Sequence, residues 1–394
     1  MFLLQISTSA LADCLQAVSK AMTSKAPLVI LDDALLTCED GKYFIIGGSN
    51  DASLKMPIEV NLMKGTFEPI MLPHKLLSQT LNLMPDVPVV YNIETTGESY
   101  AVKCEYSGRG EQKGRFSFTC ASGVNYPIIK PKDEILAQFA VATKDLIPPL
   151  TAASGFVADN EIQVISKADI HVDAEGYDIV GTNGHTLYKY AFHEGTGFAT
   201  GSNCGVSESG SLNYSDILLT PHAISALANA FRKQEEVSVT YVGSHVIFEA
   251  NDIRFTVVAP EGRFPNYNSV IPTNQPYSVT VNKKEIIEAL KRINVFANAN
   301  TNAIWMRSNG MLLTIGADDI DYSRASSEDV VLNECTLPEG YKISANVTHL
   351  LRLFSQVSTE DIRILFADPQ RAYLVKDDDD NTPVTQLGMP MCIN

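Results

Sequence analysis

A weak internal repeat recurs about every 125–150 residues along the 394-residue chain. It narrows the architecture more than any other feature, because such a period is too long for a solenoid and right for repeated domains. The first repeated unit is a strand that runs into an amphipathic helix. Ile6-Ser7-Thr8-Ser9 leads into Leu11, Leu15 and Val18; Val141-Ala142-Thr143 leads into Leu146, Leu150 and Ala153; Val281-Asn282 leads into Ile286, Leu290 and Ile293. Apolar residues at i, i+4 and i+7 make one stripe of a helix, and Ser, Thr or Asn stands where an N-cap belongs. The middle copy is the poorest, since Pro148-Pro149 would strain a helix interior.

The second repeated unit is strand, helix, strand. Ile70-Met71-Leu72 precedes Pro73 to Leu77, with Val87 to Ile93 after it. Ile217-Leu218-Leu219 precedes Pro221 to Ile224, with Val237 to Tyr241 after it. Tyr341-Lys342-Ile343 precedes Asn346 to Leu350, with Ile362 to Phe366 after it. Proline suits a first helical turn, where its missing N–H is not needed. Short β runs with turn signals lie between the units, such as Tyr43 to Ile46 after Asp40-Gly41 and Met311 to Ile315 after Asn309-Gly310. These units predict an α+β chain of three similar domains, each with two helices packed on β-sheets. The expected boundaries are 1–131, 132–272 and 273–394, after Asn125-Tyr126-Pro127 and after the segment Arg263 to Tyr267. Gly195 to Ser211 reads as a loop inside the middle domain.

Chemistry is scarce. The chain has no phosphate loop, no paired-histidine zinc helix and no nucleophile elbow, and its seven histidines show no metal-ligand spacing. The acidic runs Asp318 to Asp321 and Asp377 to Asp380 lack the Gly and terminal Glu of a calcium loop and read as solvated turns. No cofactor and no metal are expected. His185, in Thr182-Asn183-Gly184-His185-Thr186-Leu187-Tyr188, could act as a base only beside a nucleophile or orienting partner, and the sequence names none. Seven cysteines, an odd number without C-x-x-C spacing, argue for a reducing compartment. No apolar run is long enough for a membrane span, and the first residues lack the basic flank of a signal peptide, so a cytoplasmic protein is expected. The net charge of −16 argues, taken alone, against nucleic acid, but screening beyond roughly 8 Å leaves the decision to the local face.

Several stretches in order resemble the bacterial DNA sliding clamps, the beta subunits of DNA polymerase III. Pro27-Leu28-Val29-Ile30-Leu31 resembles the family's Leu-Pro-Ile-Leu segment, and Thr182 to Leu187 is similar to its Thr-Asp-Gly-His-Arg-Leu. Arg263-Phe264-Pro265-Asn266-Tyr267, ending at Val270-Ile271-Pro272, resembles Arg-Phe-Pro-Asp-Tyr…Val-Leu-Pro, and the chain closes with Met389-Pro390-Met391 where clamps close with Met-Pro-Met-Arg-Leu. Each motif is weak alone; their order spans nearly the whole chain. The resemblance implies a non-enzymatic processivity factor. Two chains would join head to tail into a six-domain ring around duplex DNA, sheets outside and helices lining the hole.

On that reading the helix units, which sum to a net positive charge inside an acidic chain, face DNA without reading its sequence. Lys25, Lys75, Arg232, Lys233, Lys284 and Arg292 are the expected lining residues. The resemblance also implies a pocket for short linear motifs of the polymerase, the clamp loader and repair proteins. It is carried over onto Thr182, Gly184, His185, Leu187, Pro265, Val270, Met389, Pro390 and Met391, with Ile165 by ungapped extension. Core packing of Leu187 and Met389 is the plainer alternative. For the ring interface the matching positions are Phe116 and Phe118 on one side and Val295 and Phe296 on the other; aromatics alternating along a strand fit an apolar seam or one domain's core equally. Family arginines are replaced by Thr186, Ser269 and Cys392, and aspartate by Asn183. The expected pocket therefore keeps its apolar shape and prefers partner motifs less acidic than usual. An adaptor that kept the fold and pocket without encircling DNA, a hydrolase using His185, and a β-rich binding module unrelated to replication are the competing readings.

Overall fold

The computed structural model describes residues 1–22, 29–97, 99–108, 113–131, 134–160, 163–195, 198–201, 205–206, 212–213, 215–319, 322–379 and 381–391. Six α-helices occur among them: α1 (Thr8–Ser19), α2 (His74–Asn82), α3 (Thr143–Ser154), α4 (Pro221–Phe231), α5 (Lys283–Asn294) and α6 (Val347–Ser355). They fall two to each third of the chain, as the repeat requires.

The three apolar stripes all go inward. Leu11, Leu15 and Val18 of α1, Leu146, Leu150 and Ala153 of α3, and Ile286, Leu290 and Ile293 of α5 are essentially inaccessible. The repeat extends to the backbone. In each third the strand before the first helix pairs antiparallel with the strand after the second, with Ser7 opposite Pro88, Ala142 opposite Glu236 and Asn282 opposite Asp361. The first N–H of each leading helix then donates to the carbonyl at the start of that partner strand: Thr8 to Val87, Thr143 to Glu235 and Lys283 to Glu360, at 2.8–3.1 Å. A helix start has N–H groups with no partner inside the helix, and this crossing bond satisfies one of them in all three copies. Side-chain caps finish the later helices. Asn282 Oδ1 accepts from Lys284 and Glu285, Asn346 Oδ1 from Thr348 and His349, and Thr220 Oγ1 from Ala223 behind Pro221. Ser7 makes no such cap bond at α1, where the Asp86 carboxylate accepts from the Ser9 N–H instead.

Pro148-Pro149 was expected to disturb the second leading helix, and α3 nevertheless runs through both. Each interior proline costs about 3 kcal/mol. Burial of Leu146, Ile147, Leu150 and Ala153 opposes that cost, and Pro148 lies on the solvent side beside exposed Lys144, where water can take the freed carbonyl.

Two compact units result, Met1–Pro148 with Ala199–Glu261, and Pro149–Phe198 with Gly262–Asn394. In the first, one sheet runs in the order Asn61–Lys64, Phe2–Ser7, Pro88–Thr96, Ser99–Ser107, Lys113–Ala121. A second, eight-stranded sheet joins the first and middle thirds where Ile253–Val258 pairs with Ala52–Ile58, Arg254 opposite Lys55. The Asp40-Gly41 turn closes a hairpin between Ala34–Glu39 and Lys42–Gly48, both turn residues at positive φ. In the second unit the middle and last thirds share a sheet where Thr186–His193 pairs with Val384–Gly388, Leu187 opposite Leu387. A four-stranded sheet there runs Arg324–Val331, Leu312–Asp319, Ala303–Asn309, Lys342–Asn346. Strands Lys113–Ala121 and Arg324–Val331 are therefore sheet edges.

The acidic runs hold the chain together where they are described. Asp377 accepts bonds from Ser358, Thr359 and Thr382; burial opposes its charge, but these donors win and hold its carboxyl below the ordinary range. Asp318 accepts from the Trp305 indole, and Asp319 from Asn298. Cys14, Cys104 and Cys120 are free, and burial pushes each thiol up to about 12, which leaves them unreactive near neutrality. No helix among the described residues is long and apolar enough to cross a membrane.

Candidate peptide-binding site and charged helix faces

The hairpin that carries His185 is built by its own side chains. Thr182 and Leu187 are the last paired positions, and the Asn183 side-chain oxygen accepts from the His185 N–H at 2.9 Å, the Thr186 N–H at 2.8 Å and the Thr186 hydroxyl at 3.1 Å. Only an oxygen acceptor is needed there, so asparagine in place of aspartate preserves the turn. The Thr182 hydroxyl donates to the Thr186 carbonyl and accepts from Gly184, whose φ of +84° is a conformation side chains resist. Thr186 is buried by this bonding, and the His185 side chain is left exposed at the tip. Behind the turn, Gly181 passes so close to the Ala153 carbonyl that an added Cβ would lie 2.1 Å from it. That glycine lets the strand Gly176–Thr182 lie against the end of α3.

Two further segments meet this turn. The closing stretch is strapped at both ends: the Met389 N–H donates to the His185 carbonyl at 2.8 Å, and the Met391 N–H to the Ser344 carbonyl at 2.8 Å. Met389 remains 41% exposed, and Pro390 and Met391 are half-buried. Leu187, by contrast, is core, so the plainer alternative of core packing describes Leu187 and not Met389. The loop from Arg263 is anchored by Tyr267, buried, whose hydroxyl donates to Asp178 at 2.6 Å. Lys189 bridges the same carboxylate at 2.8 Å and the Asn268 side chain at 3.1 Å. Pro265 stays exposed on this loop and Val270 is 55% exposed. Ile165, half-buried in the turn Val164–Ser166, holds the Ala158 N–H through its carbonyl.

Helix α6 adds residues that no motif indicated. The His349 ring stacks on the His185 ring, centroids 5.9 Å apart and planes 22° apart. One turn on, the Arg352 guanidinium lies over the Phe156 ring at 6.0 Å, and Phe156 stacks on Tyr188 of the hairpin strand. Burial, then Arg352 and His185, hold the His349 imidazole below its ordinary value. The available signal was the helix itself: His349 and Arg352 at i and i+3 in an Asn-capped helix share one face.

The basic residues are placed individually. Lys75 on α2, Arg232 and Lys233 at the end of α4, and Lys284 in the first turn of α5 are all exposed. Within the first unit α1 packs against both α2 and α4. Arg292 is exposed on α5 but makes a bidentate pair with Glu328 at 2.5 and 3.0 Å, which already answers its charge. Lys25 lies outside the described residues. At the sheet edge Lys113–Ala121, Phe116 and Phe118 stack at 6.5 Å; Phe118 is buried and Phe116 half-buried. Val295 and Phe296, just past α5, are 73% and 39% exposed.

Comparison with known proteins agrees with the resemblance read from the sequence. Residues 268–392 match the family model described as DNA polymerase III beta subunit, C-terminal domain. A beta sliding clamp of Synechocystis is 24% identical over 379 residues, covering 90% of each chain, and one of Pseudomonas aeruginosa is 23% identical with 98% of each covered. In three dimensions the chain is similar over the full length of both to a Pseudomonas aeruginosa sliding clamp bound to griselimycin, with TM-score 0.85 and 21% identity. It is likewise similar to the Thermotoga maritima DNA polymerase III beta subunit, with TM-score 0.83 and 19% identity.

Proposed function

We infer that this chain is a DNA sliding clamp, a processivity factor without a reaction of its own. Residues 1–131, 132–272 and 273–394 act as its three clamp domains in the cytoplasm. The observation that carries this reading is the threefold repeat of strand register and helix-start bonds, in a chain similar to sliding clamps from end to end. An adaptor that kept the fold would share this repeat; what favours the clamp is that relatives matched over 90% or more of both chains are named beta sliding clamps.

Two edge strands support ring closure by a second copy. The edge Lys113–Ala121 carries exposed Lys113, with Arg115 paired to Glu105 of its own sheet, and the edge Arg324–Val331 carries exposed Asp329, with Glu328 paired to Arg292. Unpaired strand edges are templates for another chain, and opposite charge sets the register of such a seam. Phe116 and Phe118 on one copy, with Val295 and Phe296 on the other, supply the apolar part. Duplex DNA is then held by topology, and Lys75, Arg232, Lys233 and Lys284 keep it centred through weak phosphate contacts; Arg292 contributes less, being paired. The hairpin at His185, Pro265, Val270 and the segment 389–391 receive short linear motifs of the polymerase, the clamp loader and repair proteins. A flexible thioether lining suits several partners in one groove.

Charge reversal tests the lining. Changing Lys75, Arg232, Lys233 and Lys284 to glutamate together adds eight negative units facing DNA. The variant is expected to lose loader-dependent association with primed DNA at about 100 mM salt by an order of magnitude or more, because phosphate contacts depend steeply on charge and salt. Unchanged loading and processive synthesis would remove these residues from the lining.

A further inference from the structure

We propose that Arg352, with the stacked His185–His349 pair, forms a carboxylate-binding subsite beside the apolar peptide groove, so that this chain selects partner peptides carrying an acidic side chain. The proposal rests on the peptide-pocket reading and adds the chemistry of the ligand.

Arg352 is half-buried, yet among the described residues its guanidinium has no ion pair and no hydrogen bond. Two other arginines of the same unit are answered within the chain, Arg292 by Glu328 and Arg363 by Asp378. A guanidinium presents five donors in a fixed plane that matches a carboxylate, and leaving it partly desolvated without an anion is unfavourable. The ring contact with Phe156 holds that plane in place without using its N–H groups.

The neighbouring imidazoles are equally uncommitted. Neither the His185 ring nor the His349 ring makes a hydrogen bond among the described residues, and they stack on each other. The positive field of Arg352 that disfavours a proton on His349 favours an anion in the same place. The position is set by the peptide site itself, since the His185 carbonyl holds Met389. The motifs lost positive charge at Thr186, Ser269 and Cys392, which led to the expectation of less acidic partners; α6 supplies a cation from outside those motifs and reverses that preference. A bidentate guanidinium–carboxylate contact is among the stronger polar contacts a small groove can make.

The test uses the full chain and acetylated, amidated hexapeptides of mixed apolar residues, matched to the exposed apolar Val270 and Met389. Glutamate is placed at each position in turn, with glutamine twins, and binding is measured by fluorescence anisotropy at pH 7 and low salt. The best glutamate peptide is expected to bind about tenfold tighter than its twin. In Arg352→Gln the ratio between the twins should fall to within about twofold; Arg352→Lys, which keeps charge without the planar fork, should keep part of it. Equal binding of the twins at every position, or a preference that survives Arg352→Gln, overturns the subsite and leaves the pocket standing. Failure of every peptide, and of griselimycin, to bind would remove the pocket and the subsite with it.

Discussion

A Val295→Asp, Phe296→Asp double variant is expected to be a folded monomer at concentrations where the proposed ring makes the parent a dimer. In a single chain Val295 is 73% and Phe296 39% exposed, so a carboxylate at either position keeps access to water in the isolated fold. Across the proposed seam they would be desolvated against Phe116 and Phe118, a cost that the exposed Lys113 of the facing strand offsets only in part. Two such charges at the centre of an interface should weaken dimerisation at least about 1000-fold, on the order of 4 kcal/mol. Sedimentation velocity reads the association, and the thermal melt reads the fold. A dimer of undiminished stability would place the seam elsewhere.

Ending the chain after Gly388 is the second large perturbation. It removes Met389, Pro390 and Met391 and the straps to His185 and Ser344, while the strand Val384–Gly388 keeps its pairing with Thr186–Tyr190. The ring seam is untouched, so the truncated chain should remain a dimer. The tightest-binding hexapeptide of the series above is the probe. Its affinity is expected to fall at least about 100-fold, near 2.7 kcal/mol, because one apolar wall of the proposed site is gone. Retained peptide binding would take residues 389–391 out of the site.

What the sequence made legible was local. The three buried stripes, the Asn and Thr caps at Asn282, Asn346 and Thr220, and the turn at Asp40-Gly41 follow from spacing and side-chain chemistry, and the structure places them as expected. The motif Thr182 to Leu187 could be recognised because its residues bond to one another within five positions. Pairings between distant segments were not legible. Alternation shows that Ile253–Val258 is a strand but not that Ala52–Ile58 lies beside it, since many strands share that pattern. Counting basic residues on helices could not separate Lys284 from Arg292, because the carboxylate that pairs with Arg292 comes from Glu328, 36 positions on. Arg352 was missed as a pocket group for a related reason: a basic residue on a capped helix has the same spacing whether it faces water or a groove. Continuity of α3 across Pro148-Pro149 shows tertiary burial overriding a local penalty.

The central claim is topological, and retention on DNA tests it most directly. The protein is loaded by a compatible clamp loader onto a nicked circular plasmid, separated from free protein, and the plasmid is then linearised. The clamp reading predicts retention on the circle and loss from the line, because a ring held by no base contacts slides off an end. Equal loss from both, with a control clamp loaded in parallel, would contradict encirclement and favour an adaptor; equal retention on both would mean direct binding and would contradict sliding.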